Sequence, residues 1–289
     1  MSTHKNIDRI CVAVTVIAVI ITILLMNGTR LGIKTLTDAD AEANSDREYF
    51  TKNDLNGNWD TSGAQQITLT GDGADVPESD CYVYGNSVVI ANSGKYIVTG
   101  TLSGGSIIVD ANSNSKVWIL FDNVSVENEE DACFIVDNAD KVFLTLAEGS
   151  ENSLISGASY SEDALEDNTD GAVFAHDDLT INGNGSLDIT ASYKHGIDCN
   201  DKLVIAGGNI KINAAQDGIH ANDGVNIINT DLTISALDDG ISGGDSVLVA
   251  GGAIYISDCY EGIEAVTVEI DDGDVTIECS DDGINANGG

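Results

Sequence analysis

A carboxylate stands beside a Gly-Ile pair at regular intervals in the second half of the chain. The stretches are QDGIHAND at 216, LDDGISGG at 237, YEGIEAVT at 260 and SDDGINAN at 280. Carboxylates repel one another and are seldom buried without a partner, so their repeated place beside apolar residues needs a physical reason. Carboxylate oxygens are also the ligands that Ca²⁺ prefers. The motif therefore points to cation binding.

The motif recurs with a fixed period. Its glycines, at 196, 218, 240, 262 and 283, are separated by 22, 22, 22 and 21 residues. A constant period of this length indicates a solenoid. Each unit contains two short apolar strands, and the alternation of the second strand turns one isoleucine column inward: Ile212, Ile234, Ile256 and Ile277. Such short strands bury an apolar face only by stacking, so we predict an all-β fold, a parallel β-helix with about 22 residues per coil.

Stacking in register would turn the repeated acids into columns. At an effective dielectric constant near 20, carboxylates about 4.8 Å apart repel by about 3–4 kcal/mol, and either a divalent cation or protonation would relieve this. A solvated edge is the alternative interpretation. Zinc is disfavoured because the four histidines lack ligand spacing. We predict Ca²⁺, with these metal ligands: Asp198, Asp217, Asp238, Asp239, Asp258, Glu261, Asp281 and Asp282.

The N-terminus differs from the rest of the chain. Residues 1–9 carry Lys5 and Arg9, and residues 10–26 form an uncharged apolar run of 17 residues, long enough to span a bilayer. We predict a cytoplasmic flank at 1–9, an uncleaved signal anchor at 10–26, a polar tether at 27–60 and an exported β-helix at 61–289. The expected location is extracellular and tethered to the membrane, or secreted if the signal is cleaved. Residues 149–170 interrupt the strand pattern and are predicted to form a loop.

The charge excludes nucleic acid as a partner. The chain has 48 Asp plus Glu against 12 Lys plus Arg, a net charge of −36, and no Arg after Arg47. Binding phosphates needs a cationic surface. The six cysteines form no dense disulfide pattern. The repeat would bring Cys259 and Cys279 to neighbouring coils, where buried free thiols are the preferred interpretation.

Four stretches carry a resemblance to a known family. They are GKYIVTGTLSGGSIIVDA at 94, DDLTINGNGSLDI at 177, YKHGIDCNDKLVIAGGNIKINAAQDGIHANDGVNI at 193 and DDGI at 238. With them, residues from about 55 to 289 resemble exported bacterial carbohydrate-binding proteins whose fold is a polysaccharide-lyase-like, right-handed parallel β-helix. The resemblance implies calcium held by carboxylates at the coil edge. It also implies affinity for plant cell-wall polysaccharide, with pectic acid and cellulose among the candidates.

Two functions compete on these residues. In the first, calcium at Asp217, Asp238 and Asp239 also accepts a uronate oxygen, so that the ion bridges two anions without catalysis. The predicted substrate contacts are Tyr193, Lys194, Tyr255 and Tyr260. In the second, a calcium-dependent polysaccharide lyase would use Lys194 or Lys211 as its base. Lysine is scarce in the repeats and Arg is absent, so non-catalytic binding is preferred. A purely structural surface protein remains a third reading.

Overall fold

From Phe50 onward the chain winds into a β-solenoid of about 9 turns of roughly 23 residues each. The structure is a computed structural model, and it describes residues 49–288. The predicted all-β parallel β-helix is confirmed. The strands are β1 (Gln65–Gly71), β2 (Ala74–Asp75), β3 (Cys81–Tyr84), β4 (Ser87–Ile90), β5 (Gly94–Ser103), β6 (Ile107–Asp110), β7 (Lys116–Asn128), β8 (Phe134–Asn138), β9 (Lys141–Leu146), β10 (Glu151–Ser156), β11 (Gly171–Ala175), β12 (Asp178–Ala191), β13 (His195–Cys199), β14 (Leu203–Ala214), β15 (Ile219–Ala221), β16 (Gly224–Ile227), β17 (Thr230–Ala236), β18 (Ile241–Cys259), β19 (Ile263–Cys279) and β20 (Ile284–Ala286).

Parallel pairing between coils divides the strands into three faces. Face 1 carries the Gly-Ile motif and consists of β4, β6, β8, β11, β13, β15, the starts of β18 and β19, and β20. Face 2 consists of the starts of β5, β7, β12 and β14 with β9, β16 and the middles of β18 and β19. Face 3 consists of β1, β10, β17 and the ends of the long strands. Only β1–β2 and β3–β4 pair antiparallel among the described strands.

The core is a set of stacked apolar columns. The predicted isoleucine column exists, because Ile212, Ile234, Ile256 and Ile277 are partners in successive registers. The first three are fully buried, whereas Ile277, on the last long strand, is partly exposed. Alternate residues on face 3 point outward, as the period of two in the sequence requires.

The glycine of the motif is required for space. A Cβ atom on Gly218 would lie 2.3 Å from Cγ2 of Ile234 and 2.7 Å from the carbonyl oxygen of Gly240 on the next coil. Gly196, Gly240 and Gly262 have the same surroundings, each with an isoleucine methyl 2.3–2.4 Å away. Real Cβ atoms do not approach other atoms so closely. Glycine therefore lets the face 1 backbone lie against the isoleucine column of face 3.

Residues 149–170 do not form a single loop, so this prediction was wrong. They contain strand β10, which pairs with β7 and β12, and a short helix α1 (Glu162–Glu166) capped by Ser161. The alternation in ENSLIS is the burial pattern of a strand with one face in the core. The excursion from the coil is confined to the segment between β10 and β11.

Residues 50–60, which we call the strap, lie against the outer side of face 2. Asp54 is 1% exposed, and its side chain contacts Lys141 at 3.0 Å and Thr180 at 2.6 Å. The Trp59 indole nitrogen donates to the hydroxyl of Thr145 at 2.9 Å. Burial opposes ionisation of Asp54, but the Lys141 ammonium and several hydrogen bonds outweigh it and hold the pKa of Asp54 below its ordinary value. Residues 50–60, predicted as the end of the tether, therefore belong to the folded unit, which begins at Phe50 instead of at residue 61.

No helix within residues 49–288 has the length and apolar character needed to cross a membrane. The anchor predicted at 10–26, its flank at 1–9 and most of the tether lie outside the described residues.

The first prediction tests the spatial role of the motif glycine. Replacing Gly218 with Ala should lower the free energy of unfolding by about 1–3 kcal/mol, because the new methyl group meets Ile234 and the Gly240 carbonyl. Gly283→Ala is the matched control, since no atom lies within 4 Å of a Cβ built there, and it should change stability by about 0.5 kcal/mol or less. Urea unfolding measures both, and equal effects would contradict the explanation.

The second prediction tests the strap. Asp54→Ala should cost about 3 kcal/mol, because it leaves the nearly buried Lys141 with only the 3.7 Å contact to Asp178. Lys141→Met in the same chain should recover part of that loss in a double-mutant cycle. Lys116→Met is the control, since its pair with Asp140 is about half exposed and should be worth about 1 kcal/mol or less. A strap that contributes no stability would leave Asp54→Ala unchanged from the wild type.

Candidate functional site

Two overlapping groups of carboxylates lie at the edge of face 1. Asp217, Asp238 and Asp239 form the first group, and Asp239, Glu261 and Glu264 form the second. Within each group, one oxygen from every residue lies within 4.8 Å of the others. Asp239 belongs to both groups and is nearly buried, with 9% of its surface exposed. Five carboxylates from three successive coils thus share one small region, which we call the acid cluster.

The backbone between coils forces these acids together. The amide of Gly218 donates to the carbonyl of Asp239 at 2.9 Å, and the amide of Gly240 donates to that of Glu261 at 2.9 Å. The residues before each glycine therefore occupy neighbouring rungs of one column, as the sequence predicts. The Asp239 amide also donates to a carboxylate oxygen of Asp217 at 3.0 Å, which turns that side chain toward the next coil.

Crowding changes the ionisation of Asp239. Burial, followed by the charge of Asp217 and a hydrogen bond shared with Glu264, raises the pKa of Asp239 to about 7. Without a cation, this carboxyl group holds a proton that an isolated aspartate would release near pH 4. The repulsion between stacked carboxylates that the sequence predicts is thus one cause of the raised pKa of Asp239. A bound divalent cation would displace this proton.

Histidines contact the carboxylates on the preceding coils. Nδ1 of His195 lies 3.2 Å from a carboxylate oxygen of Asp217, and Nδ1 of His220 lies 2.7 Å from Asp198. The two imidazole rings stack with centroids 4.9 Å apart. The hydrogen bond to Asp198 is the main reason that the pKa of His220 is raised. A protonated His220 therefore places positive charge beside Asp198.

The four other predicted ligands are not members of the acid cluster within the described chain. Asp198 belongs to the pair with His220. Asp258 accepts hydrogen bonds from the hydroxyls of Ser235 and Ser257 at 3.1 and 3.2 Å, away from the Gly-Ile motif. Asp281 and Asp282 are exposed on the last coil. Of the eight ligands predicted, the structure brings together Asp217, Asp238, Asp239 and Glu261.

Glu264 was missing from the predicted ligands although its position was visible in the sequence. It stands two residues after Gly262, in the same register as Ser242 of the previous coil and Asn285 of the next. That second position after the glycine lies on the same side of face 1 as the position before the glycine. A search for acids in both columns of one coil would have found the pair Glu261 and Glu264.

The lysines proposed as catalytic bases are placed differently from each other. Lys194 Nζ lies 2.6 Å from Asp170 and 5.5 Å from the ring centroid of Tyr193, at the coil that precedes Asp217. Lys211 is on face 3, in register with Asp188 and Thr233, and contributes nothing to the edge of face 1. An ammonium group in a close ion pair is not a free base.

The predicted tyrosine contacts occupy three separate places. Tyr193 packs against Tyr160 with ring centroids 4.7 Å apart, on the coil of Lys194. Tyr260 is 51% exposed and follows Asp238 in the column two positions before the glycine. Its hydrogen bond to Asp281 raises the pKa of its hydroxyl group. Tyr255 lies on face 3, 38% exposed, where a hydrogen bond to Glu278 raises its pKa. Tyr260 and Tyr193 therefore lie next to the Gly-Ile motifs of their coils, whereas Tyr255 lies on another face of the solenoid.

Comparison with known proteins identifies related sequences and folds. A family described as carbohydrate-binding domain-containing protein matches residues 84–260, more than half of the chain. A carbohydrate-binding domain-containing protein from Acetivibrio thermocellus is 34% identical over 128 residues, which are 44% of this chain and 45% of that protein. The match thus spans less than half of that relative. The solved structure of a polysaccharide lyase-like protein from C. thermocellum, a gadolinium derivative, has a TM-score of 0.65 at 27% identity and covers 77% of this chain and 96% of its own.

The third prediction concerns the shared proton of Asp239. Because the folded-state pKa of about 7 exceeds the ordinary value of 3.8, the folded chain binds this proton more tightly than the unfolded chain. The cation-free protein should therefore lose stability as the pH rises from 4 through 7. Asp239→Asn removes that loss and should be more stable than the wild type by about 1–3 kcal/mol at pH 8. At pH 4, close to the ordinary value of 3.8, the difference should nearly vanish, because both the folded and the unfolded chain then hold most of this proton.

Urea unfolding in the presence of a chelator measures this difference. Asp231→Asn is the control, because Asp231 is exposed on face 3, away from the acid cluster, and its effect should be equal at both pH values. A destabilised Asp239→Asn at pH 8 would show that the acid cluster does not repel itself.

Proposed function

Because the chain belongs to the family of carbohydrate-binding domain-containing proteins, we propose that its β-helix binds plant cell-wall polysaccharide through Ca²⁺ held by the acid cluster, without catalysis. The preferred ligand is an acidic pectic glycan such as polygalacturonate. The observation that carries the proposal is the convergence of five carboxylates from three coils, with Asp239 common to both groups.

The donor set fits calcium. Ca²⁺ takes 6–8 oxygen ligands with flexible geometry, whereas zinc favours nitrogen and sulfur. The acid cluster supplies only carboxylates, from Asp217, Asp238, Asp239, Glu261 and Glu264. A calcium ion there would neutralise charge and leave coordination positions for oxygens of a ligand.

The acidic charge of the chain makes a cation necessary for binding a uronate. A surface with a net charge of −36 repels polygalacturonate, and the described residues near the acid cluster offer few cations. A bridging ion converts that repulsion into attraction. Tyr260 next to Asp238 would supply an exposed aromatic face for a sugar ring, and Tyr193 with Lys194 would extend the contact toward the preceding coil.

A neutral cellulosic glycan is the second candidate ligand, and Tyr255 favours it. This tyrosine projects from face 3 between Thr233 and Thr276, which are its partners in register on the neighbouring coils. An aromatic ring flanked by hydroxyl groups suits a neutral sugar and needs no ion. Binding there would survive removal of calcium, which separates it from the preferred proposal.

The lyase alternative has less support from the geometry. Lys194 is held by Asp170 at 2.6 Å, and Lys211 is on another face. We accordingly place the protein outside the cell as a binding module, attached by the apolar segment at 10–26. An assay of unsaturated uronide release in the wells used for binding would reverse this preference if it found product that depends on Lys194.

The fourth prediction joins calcium to binding. Calcium should raise the melting temperature of chelator-treated protein and should restore retention on polygalacturonate. Asp239→Asn should weaken calcium binding about tenfold or more. Asp239 belongs to both sets of three residues in the acid cluster, so each set loses one carboxylate. Without calcium, this variant should be more stable than the wild type. Added calcium should raise its melting temperature less than that of the wild type.

Isothermal titration with CaCl₂ and a glycan pull-down with and without chelator provide the measurements. Asp231→Asn should behave like the wild type in both. Pectate retention that chelation leaves unchanged would overturn the calcium bridge. If the protein were retained on cellulose but not on polygalacturonate, and Tyr255→Ala abolished that retention, the binding site would be on face 3.

A further inference from the structure

Cys259 and Cys279 are direct partners on neighbouring coils. They end strands β18 and β19 and occupy the same register position of face 3. Both are free thiols, with Cys259 3% exposed and Cys279 partly exposed. The other described cysteines, Cys81, Cys133 and Cys199, have no cysteine as a register partner.

A bulge produces this pairing. Ser257 is opposite Glu278, so an uninterrupted register would place Cys259 beside Ser280. Asp258 is the extra residue, with a φ of 60° in the left-handed region that aspartate enters at a cost. Its carboxylate is held by the hydroxyls of Ser235 and Ser257. Because a shift of one residue also reverses the direction of a side chain, the bulge turns Cys259 toward Cys279.

The spacing suits a disulfide. Register partners in a parallel sheet lie about 4.8 Å apart, within the range of about 4.4–6.8 Å between the Cα atoms of bonded cysteines. At present each sulfur contacts a different carbonyl, that of Glu278 at 3.8 Å for Cys259 and that of Asp281 at 3.6 Å for Cys279. Rotation of the two side chains would turn both sulfurs toward each other.

Solvent reaches the pair through an open depression. The depression has a volume of about 430 Å³ and is lined by both cysteines together with Leu237, Asp258, Tyr260, Glu278 and Ser280. Cys259 is 3% exposed, whereas Cys279 is partly exposed. Cys279, the more exposed sulfur, is therefore positioned to react first with a reagent entering the depression.

We propose that Cys259 and Cys279 form a reversible disulfide that fastens the coil of β19 to the coil of β18. The oxidant is a small-molecule or protein disulfide. The Cys279 thiolate attacks one of its sulfurs and expels a thiolate, which gives a mixed disulfide. Cys259 then loses its proton and displaces the second thiolate, so that two thiols of the reagent are released and one bond joins the coils.

This bond would act on a part of the fold that needs it. Strands β19 and β20 carry exposed apolar residues, with Val266 and Ile284 each 46% exposed. The coil also carries Glu264 of the acid cluster. The linkage does not depend on calcium or on a glycan, so it stands or falls separately from the proposed function.

The test is a cysteine map of the folded, full-length protein after equilibration in glutathione buffers of increasing oxidised fraction. Free thiols are alkylated, and the chain is cut at acidic residues, since the segment beyond Lys211 has no lysine or arginine. We expect the peptide with Cys259 and the peptide with Cys279 to be found linked, with a mass two hydrogen atoms below the sum of the two reduced peptides. Dithiothreitol should abolish this linked species. Cys133 and Cys199 should be found alkylated, because they remain free thiols in every buffer. Proteolysis after residue 260 should be about fivefold slower in the oxidised form.

Two variants serve as controls. Cys279→Ser and Cys259→Ala should show neither the linked peptide nor the slower proteolysis, and alanine is tolerable because Ala236 ends the corresponding strand one coil earlier. Cysteines 259 and 279 found as free thiols or as two separate glutathione adducts, in wild-type protein that remains folded by circular dichroism, would overturn the proposal. The wild-type map decides the question even if a variant fails to fold.

Discussion

Hydrogen bonding between parallel strands of successive coils places each residue about 4.8 Å from its counterpart in the next repeat. This one constraint converts a sequence period into columns of like side chains. Isoleucines in a column bury one another and form the core, as Ile212, Ile234 and Ile256 do. The glycines beside them are equally constrained, because two backbones and an isoleucine methyl meet where a side chain would stand.

The same close spacing makes stacked acidic side chains repel one another. The groups that accompany these acids differ from coil to coil. Toward the N-terminal coils, His195 and His220 contact the carboxylates of Asp217 and Asp198. On the following coils Asp239, Glu261 and Glu264 have no histidine among their contacts in the described chain, and a proton on Asp239 relieves the crowding. A stacked β-helix cannot spread such residues apart without losing register. An ion that binds several oxygens at once is the natural replacement for that proton.

Departures from the repeat add contacts that the columns do not supply. The strap reaches face 2 through the nearly buried pair of Asp54 and Lys141, although its sequence is polar and has no strand pattern. The bulge at Asp258 aligns two cysteines that a regular strand would keep apart. Each departure uses polar groups that are hydrogen-bonded within the fold, as buried polar groups require.

The sequence by itself determined the β-helix, the register of its last five coils and the column of acids, because a nearly constant period of 21–22 residues permits only one way to stack them. Those inferences depend on spacing alone. The tertiary structure decided which acids converge. Glu264 belongs to the acid cluster. Asp258 does not, because the bulge and its hydrogen bonds to serine hydroxyls direct its side chain elsewhere. It also decided that residues 50–60 belong to the folded unit, because the partners of Asp54 lie more than 80 residues away along the chain. Contacts between distant segments leave no periodic trace in a sequence.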